Sequence, residues 1–192
     1  MERLIVARHA ESVYSARGLL NGDPSRRCPL TATGRRQALR LGELLRDEQI
    51  DLCVTSAFER TRETADLALA ERQVPRLVVA ELNDHAAGEF EGRAIADYLA
   101  WAHAASSDDP VPGASESRRE AVRRFARGYR LVLERSEPTV LAVLHSLPIS
   151  YLASGPLQRL PLLAYAEPVS VTAVELLAAV ERLERWAARP TW

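Results

Sequence analysis

Five short apolar, β-branched runs, at residues 3–7, 51–55, 76–80, 139–144 and 169–176, alternate with stretches of helical periodicity. That alternation constrains the fold more than any other feature of the chain. The helical patterns cover 34–48, where Ala38, Leu41, Leu44 and Leu45 share one face, then 57–71, 93–103 and 115–135. On the third, Ile95, Tyr98, Leu99 and Ala102 are in phase; Ser115 is placed to cap the fourth. A further helical pattern runs from Leu177 to Ala188. Strands interleaved with helices imply a largely parallel sheet covered on both faces. The expected fold is therefore α/β, a three-layer sandwich with a mostly parallel central sheet flanked by helices, and residues 1–192 are expected to form a single domain. Such a length suffices to bury roughly 70% of the surface exposed by the unfolded chain.

Composition excludes several classes. At 47% hydrophobic and 27% charged the chain reads as an ordinary globule, and a net charge of −1 supplies no global attraction for nucleic acid or an anionic membrane. Neither is expected as a partner. Cys53 lies in the apolar run Leu52-Cys53-Val54 and Cys28 in a loop. Two such cysteines make no disulfide framework and have no metal-ligand spacing, so a zinc site is not expected; no cofactor is expected either. Met1-Glu2-Arg3 leads straight into a strand pattern, with no signal peptide or membrane span, and a cytoplasmic location is the expectation. Asp108-Asp109-Pro110-Val111-Pro112-Gly113 is a surface loop.

The chemistry concentrates at strand ends. Ala7-Arg8-His9-Ala10-Glu11 follows the apolar run Leu4-Ile5-Val6, which places Arg8 and His9 where ligands bind in open α/β sheets. A histidine there can attack phosphorus while a guanidinium holds phosphoryl oxygens. The second strand runs into Thr55-Ser56-Ala57-Phe58-Glu59-Arg60, so Arg60 falls in the first turn of the next helix, an anion-binding position. The strand 139–144 ends in His145, a second histidine at the same edge. Asn83-Asp84 follows the third strand, and the loop 10–33 offers Ser12, Ser15, Asn21 and Gly22 as donors. Together they point to phosphoryl transfer through a phosphohistidine.

These blocks, in order, resemble the histidine phosphatase superfamily, in the branch related to cofactor-dependent phosphoglycerate mutase. The matching segments are Arg8-His9-Ala10-Glu11-Ser12, Pro29-Leu30-Thr31-Ala32-Thr33-Gly34 with Gln37-Ala38, and Ser56…Arg60…Thr64-Ala65. Then come Leu82-Asn83-Asp84 with Gly88…Gly92, Gly113-Ala114-Ser115-Glu116-Ser117, and Val143-Leu144-His145-Ser146. The resemblance covers residues 3–150 and is weak beyond them. It implies that His9 is the transiently phosphorylated nucleophile and that Arg8, Arg60 and His145 complete the phosphate cradle. Asp84 stands where the family usually has a glutamate that protonates the leaving oxygen and then activates water; Glu81 and Glu89 are alternative carboxylates nearby. Ser15, Asn21 and Gly22 are the expected substrate-binding residues, and Glu116 could orient Arg60 or hold the loop. The sequence departs from the family pattern at Ala10, Ser15, Asp84 and Ser146.

The implied activity is metal-independent hydrolysis of a phosphorylated small molecule. A phosphoglycerate-mutase-type phosphotransferase is the near alternative, and a weakly catalytic phospho-ligand sensor is the alternative of a different class. A homodimer follows by family analogy. Tyr98 and Trp101 are expected to pack, Arg62 to lie on a helix surface, and His85 and His103 to be exposed.

Overall fold

The structure, a computed structural model, describes residues 1–156 and 163–191. Strands β1 (Arg3–Arg8), β2 (Leu52–Thr55), β3 (Arg76–Val78), β4 (Thr139–Leu144) and β5 (Pro168–Thr172) form one sheet in the order β3-β2-β4-β1-β5. The first four run parallel and β5 is antiparallel to β1. Around the sheet lie helices α1 (Ala32–Leu44), α2 (Glu59–Ala68), α3 (Ile95–Ala104), α4 (Arg118–Leu133), α5 (Ser146–Ser154) and α6 (Ala173–Ala188).

Strand alternation sorts the core into two layers. Leu4, Val6, Leu52, Val54, Val140, Ala142 and Leu144 face one side, where Phe125, Tyr129 and Val132 of α4 and Leu176, Val180 and Leu183 of α6 cover them. Ile5, Ala7, Cys53, Leu141 and Val143 face the other, beneath Ala38 and Leu41 of α1 and Ala65 and Ala68 of α2. Because both faces are covered, the central strands are apolar between their ends, with Arg3, Arg8, Thr55 and Thr139 only at the termini. The three-layer, mostly parallel α/β sandwich is as the alternation implied.

Several boundaries differ from the periodicity reading. The run 169–176 is not one strand: Thr172 accepts from the Glu175 N–H while Glu175 bonds back to the Thr172 N–H, and this capping box starts α6 at Ala173. Apolar residues continue across that junction, so alternation alone could not reveal the switch. The strand at 76–80 ends at Val78, and residues 80–82 form a 3₁₀ turn. Helix α4 is capped by Ser117, not Ser115, because Ser117 is paired with a glutamate three residues on, in Glu120. Helix α5 carries no clear sequence signal, since Pro148 reads as a breaker. The proline sits in the first helical turn, where backbone N–H groups lack intrahelical acceptors in any case. Gly34 in α1 is required by close approach: a Cβ there would lie 2.0 Å from the Glu11 carbonyl oxygen.

Candidate active site

Parallel pairing places the two histidines side by side. In the β1–β4 register Arg8 lies opposite Leu144, so His9 and His145 follow at the same edge. The His9 N–H donates to the Leu144 carbonyl at 2.8 Å, and the two imidazole centroids are 5.4 Å apart. Arg60 enters from the start of α2, anchored where Thr64 Oγ1 accepts from the Ala10 N–H at 3.0 Å and donates to the Arg60 carbonyl at 2.7 Å. Thr64 thereby ties the end of β1 to α2.

The Arg60 guanidinium is the hub. Its Nε–H donates to His9 Nε2 at 3.1 Å, and Nη2 lies 3.0 Å from His145 Nδ1 and 3.4 Å from Asp84 Oδ2. Nη1 donates to Asn21 Oδ1 at 2.5 Å and Nη2 to the Asn21 carbonyl at 3.2 Å. These bonds assign the tautomers. His9 Nε2 accepts from Arg60, so its proton is on Nδ1, which donates to the Ala10 carbonyl at 2.7 Å. His145 Nδ1 likewise accepts, and its Nε2–H donates to Ser56 Oγ at 2.8 Å. Ser56 is 2.9 Å from Thr61 Oγ1, and the Phe58 ring packs edge-on against His145. A neutral imidazole with a fixed Nδ1–H carries its lone pair on Nε2, the form in which histidine is a nucleophile.

Burial reinforces that state. His9 and His145 are 4% and 0% exposed, and desolvation, followed by the Arg60 charge, holds both well below the ordinary histidine range. His85 is also lowered, chiefly by desolvation. Arg60 itself is lowered by burial, against the attraction of Asp84. An acid-stability prediction follows. Near pH 6.5 an unfolded histidine takes up a proton that these buried rings refuse, so below that pH the unfolded chain binds more protons and stability falls with pH. Each ring contributes a slope of up to about 1.4 kcal/mol per pH unit. Calorimetric melting should show a steepening loss of Tm from pH 6.5 to 5; a flat or rising Tm over that range would contradict buried neutral histidines.

Asp84 is the carboxylate that reaches the cluster. Among the described residues, it pairs with Arg60 and stands 3.6 Å from His145 Nδ1, whereas Glu81 and Glu89 make no such contact. Its loop is clamped by Arg124, whose Nη1 donates to the Glu81 and Asn83 carbonyls at 2.9 and 2.8 Å and whose Nη2 donates to the Asp84 carbonyl at 3.2 Å. Glu116 holds Arg124 through both oxygens, at 2.6 and 2.7 Å. Of the two roles expected of Glu116, orienting Arg60 or holding the loop, its bonds go with the second: it acts on Arg124, the arginine that fixes the Asp84 loop. Nothing in the sequence singles Arg124 out from the other arginines of α4.

The three loop residues divide. Asn21 faces Arg60, and Glu91 holds it through a bond from Asn21 Nδ2 at 2.9 Å. Gly22 donates its N–H to Glu91 Oε2 at 2.7 Å, and a Cβ there would lie 2.4 Å from Ala87 N, so close backbone packing explains the glycine. Ser15 Oγ accepts from the Ser12 N–H at 2.8 Å and donates to the Ser12 carbonyl at 3.1 Å; these bonds turn it inward on its own loop. His85 is buried, not exposed, because α3 covers the loop after β3 and Tyr98 OH sits 2.7 Å from its Nδ1. Tyr98 and Trp101 pack with Phe90, and Arg62 and His103 are exposed.

Comparison with known proteins gives the family. A model of the histidine phosphatase superfamily, branch 1, matches residues 4–189. The chain belongs to that superfamily. Among branch 1 relatives, adenosylcobalamin/alpha-ribazole phosphatase of Escherichia coli is 38% identical over 97 residues, covering 50% of this chain and 47% of the relative. A 2,3-bisphosphoglycerate-dependent phosphoglycerate mutase of Methylobacterium is 34% identical over 141 residues, covering 65% of this chain and 64% of the mutase. The crystal structure of the alpha-ribazole phosphatase from Shigella flexneri superposes with a TM-score of 0.69 at 32% identity, covering 79% of this chain and 78% of that one. The chain spans about half the length of the first of these curated relatives. Among the described residues of this histidine phosphatase family member, no helix is long and apolar enough to cross a membrane.

Proposed function

We propose that this protein hydrolyses a phosphomonoester without a metal, through a phosphohistidine at His9. The observation that carries the reading is the Arg60 fork, which joins His9 Nε2, His145 Nδ1, Asn21 and Asp84 in one buried cluster. When a phosphoryl group enters, the Arg60 Nε and Nη2 donors move from the two histidines and Asp84 to phosphoryl oxygens, which frees the His9 Nε2 lone pair, while Nη1 stays on Asn21. That nitrogen attacks phosphorus, the bond to the leaving oxygen breaks, and the Asp84 carboxyl gives that oxygen its proton. Water then attacks phosphorus while Asp84 takes a proton from it, the N–P bond breaks with its electron pair returning to His9 Nε2, and inorganic phosphate leaves. Arg8 and Arg60 stabilise the charge spread over the equatorial oxygens, and His145 completes the cradle beside them. Asn21 orients Arg60, while Ser15 and Gly22 shape the loop beside it.

The reading takes residues 1–192 as a single catalytic domain. A phosphorylated small molecule is the substrate class, and alpha-ribazole 5'-phosphate is the first to try given the names of the relatives. A cytoplasmic location agrees with two buried free thiols, Cys28 and Cys53. A sensor has no need of a nucleophile with its tautomer fixed, so catalysis is favoured over binding alone. Hydrolysis of p-nitrophenyl phosphate in excess chelator, with acid-labile phosphate trapped on His9 after a rapid quench, tests the proposal. Chelator-sensitive turnover, or no label in a protein that turns over, overturns it.

Asp84→Asn separates the acid from the nucleophile. General acid–base help is worth about 10²–10⁴-fold. The loss is expected in full with an alkyl phosphate, whose leaving oxygen needs a proton, and to be several-fold smaller for phosphorylation by p-nitrophenyl phosphate. Equal losses with both substrates would remove Asp84 from the acid role.

A further inference from the structure

One turn holds Arg8 from three directions. The Leu163 carbonyl accepts from Arg8 Nη1 at 2.7 Å. The ring of Tyr165 lies against the guanidinium, with Cζ 3.9 Å from the ring centroid. The Ala166 N–H donates to the Arg8 main-chain carbonyl at 2.9 Å. To reach that bond Ala166 is buried in the left-handed region, at φ 53°. A side chain pays a cost there, and such backbone persists where surrounding contacts over-determine it, often beside functional sites. The same tyrosine ring is 6.1 Å from the His9 ring.

Among the described residues, no carboxylate pairs with Arg8. A carboxylate would order the guanidinium but also neutralise it and compete with an incoming phosphate. An aromatic face orders it and leaves its charge and its edge donors available. The Arg8 charge is felt by His9, Arg60 and His145, so its placement bears on the whole cluster.

We propose that Tyr165 is a positioning residue for the phosphate site: its ring stacks on Arg8 and presents the guanidinium to phosphoryl oxygens. Its effect on turnover rests on the phosphatase reading, and its effect on anion binding does not. The test uses full-length Tyr165→Phe and Tyr165→Leu, with inorganic phosphate affinity by calorimetry, p-nitrophenyl phosphate kinetics and melting on each. Phenylalanine keeps the stacking face and is expected within about twofold of wild type, whereas leucine keeps apolar bulk and loses about five- to thirtyfold in phosphate affinity, with a similar loss in kcat/KM. A merely structural role would lower the Tm of the leucine variant and leave phosphate affinity unchanged.

Phosphate affinity in the leucine variant equal to wild type overturns the proposal. So does an equal loss in both variants, or a wild type that binds no phosphate. If the leucine variant does not fold, ring-fluorinated phenylalanines at position 165 preserve shape while weakening the negative face of the ring. Affinity should then fall with each added fluorine, and a flat series overturns the stacking role. A wild type that binds phosphate but hydrolyses no aryl phosphate removes the phosphatase reading, and the titrations still decide the role of Tyr165.

Discussion

His9→Ala is expected to lower turnover of any phosphomonoester that the wild type accepts by at least about 10⁴-fold, because under the proposed mechanism the variant lacks the atom that bonds to phosphorus. The residual rate would come from electrostatic stabilisation by Arg8 and Arg60. The variant should fold, since the His9 side chain contributes two bonds at the rim of the sheet, to the Ala10 carbonyl and from Arg60. Quench-flow with radiolabelled substrate provides the direct measurement: acid-labile label in the wild type and none in the variant. A variant that retained a tenth of wild-type activity would rule out His9 as the nucleophile. Because burial and Arg60 keep His9 neutral well below the ordinary histidine range, protonation of the nucleophile should not limit activity between pH 7 and 6. A fall over that interval with a midpoint near 6.5 would mean that His9 titrates like an exposed ring.

Arg60→Ala should follow His9→Ala in size, with a loss of about 10³–10⁵-fold, the range associated with an arginine that neutralises transition-state charge on a phosphoryl group. Arg60→Lys is expected to recover little of it. Arg60 addresses four residues at once through Nε, Nη1 and Nη2, and an ammonium offers one point charge without the planar fork. The effect on stability should be far smaller. Removing the guanidinium leaves Asn21, His9 and His145 without a donor, which destabilises, but it also removes a charge that burial penalises. These terms oppose each other, so Tm should shift by a few degrees while the rate collapses. An alanine variant within tenfold of wild-type kcat/KM would displace Arg60 from the centre of the mechanism.

How far the sequence could be read depended on the range of the interaction. Strand ends were legible because apolar runs stop abruptly: Leu4-Ile5-Val6 before Arg8 and His9, and the run to Leu144 before His145. Arg60 was legible from its place in the first turn after β2. Boundaries set by caps were less so, since Ser115 and Ser117 look alike until the reciprocal bond with Glu120 is seen. The junction at Thr172 was hidden because strand and helix share one apolar run. Ser56 and Glu91 fell within recognised blocks, yet their partners, His145 and Asn21, lie far away in sequence.

Sequence alone set the class of fold and put two histidines and two arginines at one edge of the sheet. Periodicity and strand termination are local, so these properties need no knowledge of the rest of the chain. Tertiary structure decided the states and partners of those groups. Imidazole tautomers follow from what each nitrogen meets across the sheet. The placing of Asp84 beside Arg60 and His145 goes with the Arg124 clamp on its loop, about forty residues away in sequence. Arg8 meets the turn at Leu163 and Tyr165 across more than 150 positions. No local pattern encodes contacts of that span; chain closure around a common sheet brings them together.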